Sequence, residues 1–212
     1  MTIQGGRFGT NGHGAPDRPL VVGIGGSMRP GSTTLAALER ALAGAETAGA
    51  RIDLLGVRDL ALPMYEPDLP LPAFGDGAAR LIDAARRADA LVIATPTYQG
   101  TLAGVVKNAL DYLQFLADDD PPYLTGRAVG LIATADGAQA APNAVAALVH
   151  AAHALRAVVA PMTVSIPCAW SLLDADGAVV SEPWGRRLDA LGRQVGDLAG
   201  ALGRREAVGG RR

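Results

Sequence analysis

The sequence predicts an α/β fold in which one parallel sheet carries helices on both faces. Strand-like and helix-like segments alternate five times along the chain, which is the pattern of parallel strands joined by right-handed helical crossovers. Two strand segments, residues 20–24 and 89–95, are apolar on both faces, as central strands of such a sheet should be. The chain has 212 residues, of which 49% are hydrophobic and 19% charged, enough for one domain with a full core.

The order of the elements follows from hydrophobic periodicity and from the turn residues between segments. Strands are predicted at residues 20–24, 51–57, 89–95, 127–134 and 162–166. Helices are predicted at residues 33–42, 74–88, 102–117, 143–157 and 182–203. Ligands of open parallel sheets bind beyond the carboxyl ends of the strands. We therefore expect the site in the loops after the first, third and fourth strands, at residues 26–32, 96–102 and 135–139.

The two ends of the chain are predicted to lie outside this domain. Residues 1–19 are rich in glycine and lack periodicity, so we expect a flexible arm, then a domain at 20–205 and a frayed tail at 206–212. The net charge of −2 gives no basic surface for nucleic acid, and no apolar run is long enough to span a membrane. The single cysteine, Cys168, fits a reducing compartment, and we expect a cytoplasmic protein.

The first loop has the features of a phosphate-binding turn. Gly25 and Gly26 allow a sharp turn, and Ser32 is a good N-cap for the helix that follows. A helix that begins there directs unpaired amides and the positive end of its dipole at the strand tip. The polar residues predicted to surround a phosphate are Ser27, Arg29, Ser32 and Thr34. The loop is neither a P-loop nor a Gly-x-Gly-x-x-Gly fingerprint, and an ordinary strand-to-helix turn is the alternative.

The second loop suits a planar heteroaromatic ring. Pro96 stiffens the strand exit, Tyr98 offers an aromatic surface, and Gln99 an amide that donates and accepts. Gly100 would let a flat ligand approach the backbone. A plain turn whose tyrosine covers the core is the alternative.

Other polar groups are better explained without a metal or a catalytic role. The acidic run at 118–120 stands before two prolines and is typical of a solvated loop. Lys107 and Asp111 are four apart on a helix and can form an ion pair, with a structural or subunit-contact role. His150 and His153 lack a third ligand, so no metal site is predicted. Cys168 is expected to be a small buried hydrophobe.

Two motifs together carry a resemblance to a known family. The pattern Gly26-Ser27-x-Arg29-x-x-Ser32, followed by Pro96-x-Tyr98-x-Gly100 and Gly104-x-x-Lys107-Asn108-Ala109-x-Asp111, is similar to the NADPH-dependent FMN reductase family. The resemblance implies a flavodoxin-like three-layer sandwich with strand order 2-1-3-4-5. It implies that the FMN phosphate lies on Ser27, Arg29, Ser32 and Thr34. It also implies a ring lined by Pro96, Thr97, Tyr98, Gln99 and Gly100 on one side and by Ala135, Asp136 and Gly137 on the other. Asp136 departs from a loop that is commonly glycine-rich, and its charge would disfavour an anionic reduced flavin.

The resemblance implies hydride transfer from NADPH or NADH to N5 of FMN, without any acid–base side chain of the protein. Tyr98 would shape the stacking face. Reduced FMN would serve a partner monooxygenase or a bound acceptor; a quinone, azo or nitro reductase with permanently bound FMN is the alternative. A flavodoxin-like electron carrier is a second class, although flavodoxins tend to be more acidic than this chain. A flavin-free α/β module that binds another phosphate ligand is a third. The family commonly forms oligomers, so a homodimer or homotetramer is expected.

Overall fold

The centre of the fold is a sheet of five parallel strands in the predicted order. The structure is a computed structural model that describes residues 18–174, 177, 179 and 181–209. The strands are β1 (Leu20–Gly25), β2 (Arg51–Gly56), β3 (Ala90–Tyr98), β5 (Ala128–Thr134) and β6 (Val158–Ile166), in the order β2-β1-β3-β5-β6. All four neighbouring pairs are parallel. A sixth strand of two residues, β4 (Thr101–Leu102), pairs antiparallel with the end of β3.

Helices cover both faces of the sheet because its strands are apolar on both sides. The helices are α1 (Thr33–Thr47), α2 (Val57–Leu60), α3 (Asp76–Arg87), α4 (Gly104–Asp111), α5 (Ala141–Ala154) and α6 (Glu182–Gly209). Val22 and Ile24 of β1 face the core formed with α3, α4 and α5, whereas Val21 faces the core formed with α1 and α6. In the described part of the chain, none of the helices combines the length and hydropathy that a membrane span requires.

The segment after β3 differs from the predicted helix at 102–117. β3 runs on to Tyr98, past the predicted end of the strand, and turns back into β4. α4 begins only at Gly104, because Ala103 is extended and its amide donates to Thr95 Oγ1 at 2.9 Å. A 3₁₀ turn, Tyr112–Leu116, replaces the rest of the predicted helix. The strand exit is therefore a hairpin packed on a short helix.

Smaller differences lie at other element ends. Val57 was assigned to the second strand but begins the short α2, which buries Val57 and Leu60 against the core. α6 extends to Gly209, beyond the predicted end at residue 203 and into the predicted tail. Residues 1–17 of the predicted arm and 210–212 of the tail lie outside the described residues.

Candidate functional site

A cleft lies where β1, β3 and β5 end side by side. We call it the strand-end cleft, and it is lined by Ser27, Arg29, Gly31, Ser32, Thr33, Thr34, Pro96, Thr97, Tyr98, Thr134, Ala135, Asp136 and Ala169. Nine of the twelve predicted binding residues are in this lining. Gln99, Gly100 and Gly137 are not. The three loops chosen from the sequence thus meet in one place, because parallel neighbours end at the same edge.

The first loop is fixed at its start by a glycine that no other residue can replace. Gly25 has φ +152°, and a Cβ there would lie 2.1 Å from the carbonyl oxygen of Ala94. The next amide, of Gly26, donates to that same oxygen at 3.2 Å. The loop therefore leaves β1 in direct contact with β3, which brings the start of α1 to the edge of the cleft.

The N-terminus of α1 is capped as predicted and still has free donors. Ser32 Oγ accepts the Leu35 amide at 3.2 Å. The amides of Thr33 and Thr34 have no partner within the helix, because the first turn has no preceding carbonyls. Both residues line the cleft. The helix thus presents two amides and its dipole to a bound anion.

Arg29 supplies a positive charge beside these amides. Its backbone amide donates to Ser27 Oγ at 3.2 Å, which tightens the turn. Among the described residues, its exposed guanidinium has no hydrogen bond or ion pair. Arg58 supports the loop from α2, since Nη1 donates to the carbonyl of Met28 at 2.6 Å. The loop is therefore held in place while the charge of Arg29 stays available.

A pair of threonine hydroxyls lies buried in the lining of the cleft. Thr34 Oγ1 and Thr134 Oγ1 are 2.6 Å apart, and both side chains are almost fully buried. Each hydroxyl has one proton, and the pair uses one of the two. The other is available to a ligand oxygen. Thr34 was predicted to bind phosphate directly; the structure adds Thr134 as its partner across the cleft.

Thr97 carries an unsatisfied polar atom within the cleft lining. Its Oγ1 is buried and has no hydrogen-bond partner among the described residues. Buried hydroxyls are almost always paired, with protein groups, ordered water or ligands, so this atom has hydrogen-bonding capacity left for a group bound in the cleft. The neighbouring Thr95 shows the contrast, because its Oγ1 accepts from Ala103 and donates to Pro96.

Gln99 and Gly100 form the turn between β3 and β4. Both have positive φ, +50° and +79°, as a two-residue hairpin of type I′ requires. A Cβ on Gly100 would meet no atom within 4 Å. The positive φ is the reason that the turn needs a glycine, and the approach of a ligand to this backbone stays a prediction. The hairpin holds Tyr98, which is 51% exposed, at the boundary of the cleft.

A second, apolar cleft shares Arg29 and Tyr98 with the first. Its lining, which we call the apolar cleft, consists of Met28, Arg29, Leu62, Met64, Tyr98, Ala103, Gly104, Val105 and Asn108. Met28 and Met64 are both more than half exposed. Sequence reasoning assigned no role to Met64 or to the loop that carries it, and so did not predict this surface. It also missed Thr134, which ends β5, and Ala169, which lies three residues beyond the end of β6; the strand-end rule points to Thr134 directly.

The remaining polar groups have ordinary roles. Lys107 and Asp111 form the predicted exposed ion pair. Asp119 pairs with Arg86 at 2.8 Å, and this hydrogen bond holds the pKa of its carboxyl below the usual range. His150 and His153 are exposed, and no cluster of ligands suited to a metal occurs among the described residues. Cys168 is only half-buried, so the expectation that it is a small buried hydrophobe was wrong in its burial.

Comparisons with known proteins give consistent results. The sequence model of the NADPH-dependent FMN reductase family matches residues 19–171. An NAD(P)H-dependent FMN reductase of Pseudomonas aeruginosa is 40% identical over 92 residues, which are 43% of this chain and 48% of that protein. The match thus spans about half the length of this relative.

Solved structures agree in fold. The flavoenzyme FerB of Paracoccus denitrificans, an NAD(P)H:(acceptor) oxidoreductase, is 25% identical with a TM-score of 0.67, covering 86% of this chain and 98% of that one. A flavodoxin of Streptococcus pneumoniae is 16% identical with a TM-score of 0.55, covering 84% of this chain and 98% of its own. These neighbours confirm the predicted flavodoxin-like sandwich.

Proposed function

Because the chain belongs to the NADPH-dependent FMN reductase family, we propose that it is an NAD(P)H-dependent flavin oxidoreductase whose FMN lies in the strand-end cleft. FMN and a reduced nicotinamide are the cofactors of this family. The observation that carries the placement is Thr97 Oγ1, a buried hydroxyl without a partner in the described chain, at the point where a ring is expected. The guanidinium of Arg29, which has no partner among the described residues and lines the same cleft beside α1, supports this placement.

The phosphate end of FMN fits the start of α1. A phosphate needs several donors and a positive charge around it. The loop offers the Thr33 and Thr34 amides, the guanidinium of Arg29 and the hydroxyls of Ser27 and Ser32. The spare proton of the Thr34–Thr134 pair adds one more donor. This set of donors thus suits a phosphate monoester, and the guanidinium of Arg29 lies beside the positive end of the α1 helix dipole.

The ring end fits between the exits of β3 and β5. Pro96, Thr97 and Tyr98 line one side of the cleft, and Ala135 and Asp136 line the other. Gln99, Gly100 and Gly137 remain proposed ring neighbours, as the residues next in sequence to that lining. Thr97 would donate to, or accept from, a polar atom of the ring edge, while Tyr98 shapes the open face.

When bound, FMN supplies the redox chemistry, in which a hydride from the nicotinamide is taken up and passed on as electrons. The protein's residues would bind the FMN, orient its ring and tune its reduction potential. The phosphate loop anchors the tail, the hairpin sets the position of Tyr98, and Asp136 adds negative charge near the ring. That charge opposes further negative charge on the flavin and would lower its reduction potential.

The proposal also concerns the compound that accepts the electrons from reduced FMN. Release of reduced FMN to a partner monooxygenase and transfer to a bound acceptor both remain compatible with the family. The apolar cleft favours the second, because it adjoins the proposed ring site and shares Tyr98 with it. A quinone, azo or nitro compound has the planar apolar shape for such a cleft. We further propose that the protein forms a homodimer or homotetramer, as the family commonly does, and acts in the cytoplasm.

The test is a titration of the apoprotein with FMN and with riboflavin, followed by NADPH and NADH oxidation. We expect FMN to bind at least tenfold more tightly than riboflavin, since a charge-assisted phosphate contact contributes about 1.5–3 kcal/mol. Equal affinity for the two flavins would contradict the phosphate site. Oxidation that requires excess FMN favours release, whereas turnover of a quinone by stably yellow protein favours a bound acceptor. Flavin binding without NAD(P)H oxidation would identify an electron carrier instead.

A further inference from the structure

We propose that Asn108 is a positioning residue that holds Met64 in place as a wall of the apolar cleft, and so sets the affinity of that cleft for a planar ring. The inference rests on the proposed function, because the ring in question is the nicotinamide or the acceptor that meets the flavin. Sequence reasoning gave the Lys107–Asn108 segment only a structural or subunit-contact role. The structure gives Asn108 a defined set of partners.

Asn108 joins α4 to the loop between α2 and α3, which contains Pro63, Met64 and Tyr65, through both polar atoms of its amide. Oδ1 accepts the Tyr65 amide at 2.9 Å, and Nδ2 donates to the Pro63 carbonyl at 2.8 Å. The Tyr112 hydroxyl donates to the same carbonyl at 3.1 Å. Asn108 is 8% exposed, so these bonds are shielded from competing water. Two hydrogen bonds from one side chain thus fix the residues on either side of position 64.

Met64 is therefore held by its neighbours rather than by its own packing. Its side chain is 75% exposed and lines the apolar cleft beside Tyr98. Tyr65 is locked by ring contacts with Phe74, Tyr112 and Phe115, whose centroids lie 5.4 to 6.2 Å away. Because Pro63 and Tyr65 are anchored, the backbone at Met64 is anchored as well. Without the clamp, this exposed loop would have to order itself whenever a ligand binds.

The chemistry of the wall indicates what it contacts. Met28 and Met64 are flexible and polarisable, and thioether sulfurs contact the edges of aromatic rings favourably. Tyr98 adds a ring face. The cleft thus suits a flat aromatic ring. Asn108 is itself part of the lining, but both polar atoms of its amide are bonded to the loop, so its proposed action on the ring is through Met64.

The experiment compares five variants of the FMN-loaded protein. Asn108→Ala removes the clamp, Tyr112→Phe removes the second donor to Pro63, and Met64→Ala removes the wall. The double variant Asn108→Ala/Met64→Ala tests whether the two residues act together. Lys107→Gln is the matched control, since Lys107 is the neighbouring residue on α4 and its exposed ion pair involves only Asp111.

Two readouts are needed. Hydrogen exchange reports the Tyr65 amide, which donates to Asn108, and does not depend on activity. The dissociation constant of NADP⁺, a non-reacting ring probe, is read from the change it causes in the bound flavin's absorption.

We expect faster Tyr65 exchange in Asn108→Ala and a three- to tenfold weaker affinity for NADP⁺, with FMN affinity within twofold of wild type. Met64→Ala should weaken NADP⁺ similarly while leaving Tyr65 exchange unchanged, and the double variant should be no weaker than the worse single one. Tyr112→Phe should act in the same direction as Asn108→Ala and less strongly, which keeps the test informative if Asn108→Ala does not fold.

Three outcomes would overturn the inference: unchanged NADP⁺ affinity in Asn108→Ala and Tyr112→Phe, effects of Asn108 and Met64 that multiply in the double variant, or an equal loss in Lys107→Gln. Failure of the proposed function looks different. In that case the wild-type protein fails to bind FMN or to oxidise NAD(P)H, while the exchange of the Tyr65 amide still reports the clamp.

Discussion

Replacement of Thr97 by valine should make the flavin-free protein more stable and the flavin complex weaker. Thr97 Oγ1 is buried and has no partner in the described chain. Valine has nearly the same shape and lacks the hydroxyl, so it removes the desolvation cost of an unsatisfied group. That cost is about 1–3 kcal/mol in proteins, and we take the lower end because the residue is only partly buried.

A gain of about 1 kcal/mol corresponds to a rise of roughly 2–4 °C in the melting temperature of a domain of this size. In the FMN complex the hydroxyl is expected to be paired, so the same change removes a bond there. We therefore expect the dissociation constant of FMN to rise about five- to tenfold, which is about 1–1.4 kcal/mol. The two effects have opposite signs in the two states.

Thermal unfolding of the apoprotein and fluorescence titration with FMN measure the two effects separately. Thr95→Val is the matched control, since Thr95 lies on the same strand and its hydroxyl is bonded to Ala103 and Pro96. It should destabilise the apoprotein by about 1–3 kcal/mol, because it leaves the Ala103 amide unpaired. A Thr97→Val variant that is stabilised but binds FMN as tightly as wild type would refute the reasoning, since the hydroxyl would then have no ligand partner.

Three further predictions concern the charge, the turn and the pH dependence of the protein. Arg29→Gln should weaken FMN binding about tenfold and leave riboflavin binding unchanged in parallel titrations, because its charge acts on the phosphate; an equal loss for both flavins would contradict this. Gly100→Ala should lower the free energy of unfolding by about 1–2 kcal/mol in chemical denaturation, since φ is +79° and no atom lies near the added carbon; a change below 0.3 kcal/mol would show that the turn relaxes. Because Arg86 lowers the pKa of Asp119 in the folded state, the stabilisation by this pair is complete above the ordinary pKa near 3.8 and is lost as pH falls through the lowered value. Asp119→Asn should therefore cost about 0.5–1 kcal/mol at pH 7 and progressively less as the pH falls through the lowered pKa of Asp119, and a cost that does not change with pH would exclude the ion pair as its origin.

The order of the sheet could be predicted because it depends on signals that are local in sequence. A strand such as β1, apolar on both faces, must be central in a parallel sheet, and glycines at its exit must turn the chain. The strand-end rule then places three loops together without any knowledge of side-chain positions. This explains why nine of the twelve predicted binding residues lie in one cleft.

The parts that were missed depend on contacts between distant segments. The partners of Asn108 are backbone atoms of residues 43 and 45 positions away, which no local pattern reveals. The predicted helix at 102–117 failed for a related reason. Its periodicity was helical, but the amide of Ala103 bonds to Thr95 across the hairpin, and this tertiary contact delays the helix to Gly104. For Gly100 the structure shows a positive φ at the turn, and the approach of a ligand to its backbone stays a prediction, since both needs select glycine and look the same in sequence.

The two clefts are connected through the first loop, because Arg29 lines both of them. Met28 and Arg29 are adjacent in the sequence. Met28 lines the apolar cleft, and Arg29 lines both clefts. The carbonyl of Met28 accepts a hydrogen bond from Arg58, so one bond steadies both the proposed phosphate-binding loop and the Met28 wall of the apolar cleft. Asn108 steadies the opposite wall at Met64. In a site where the cofactor supplies the chemistry, the protein's contribution is the distance between these walls and the anchored flavin. Substitutions at Arg58 and Asn108 should thus alter which rings are accepted more than how fast a bound ring reacts, because neither side chain lies where the electrons move.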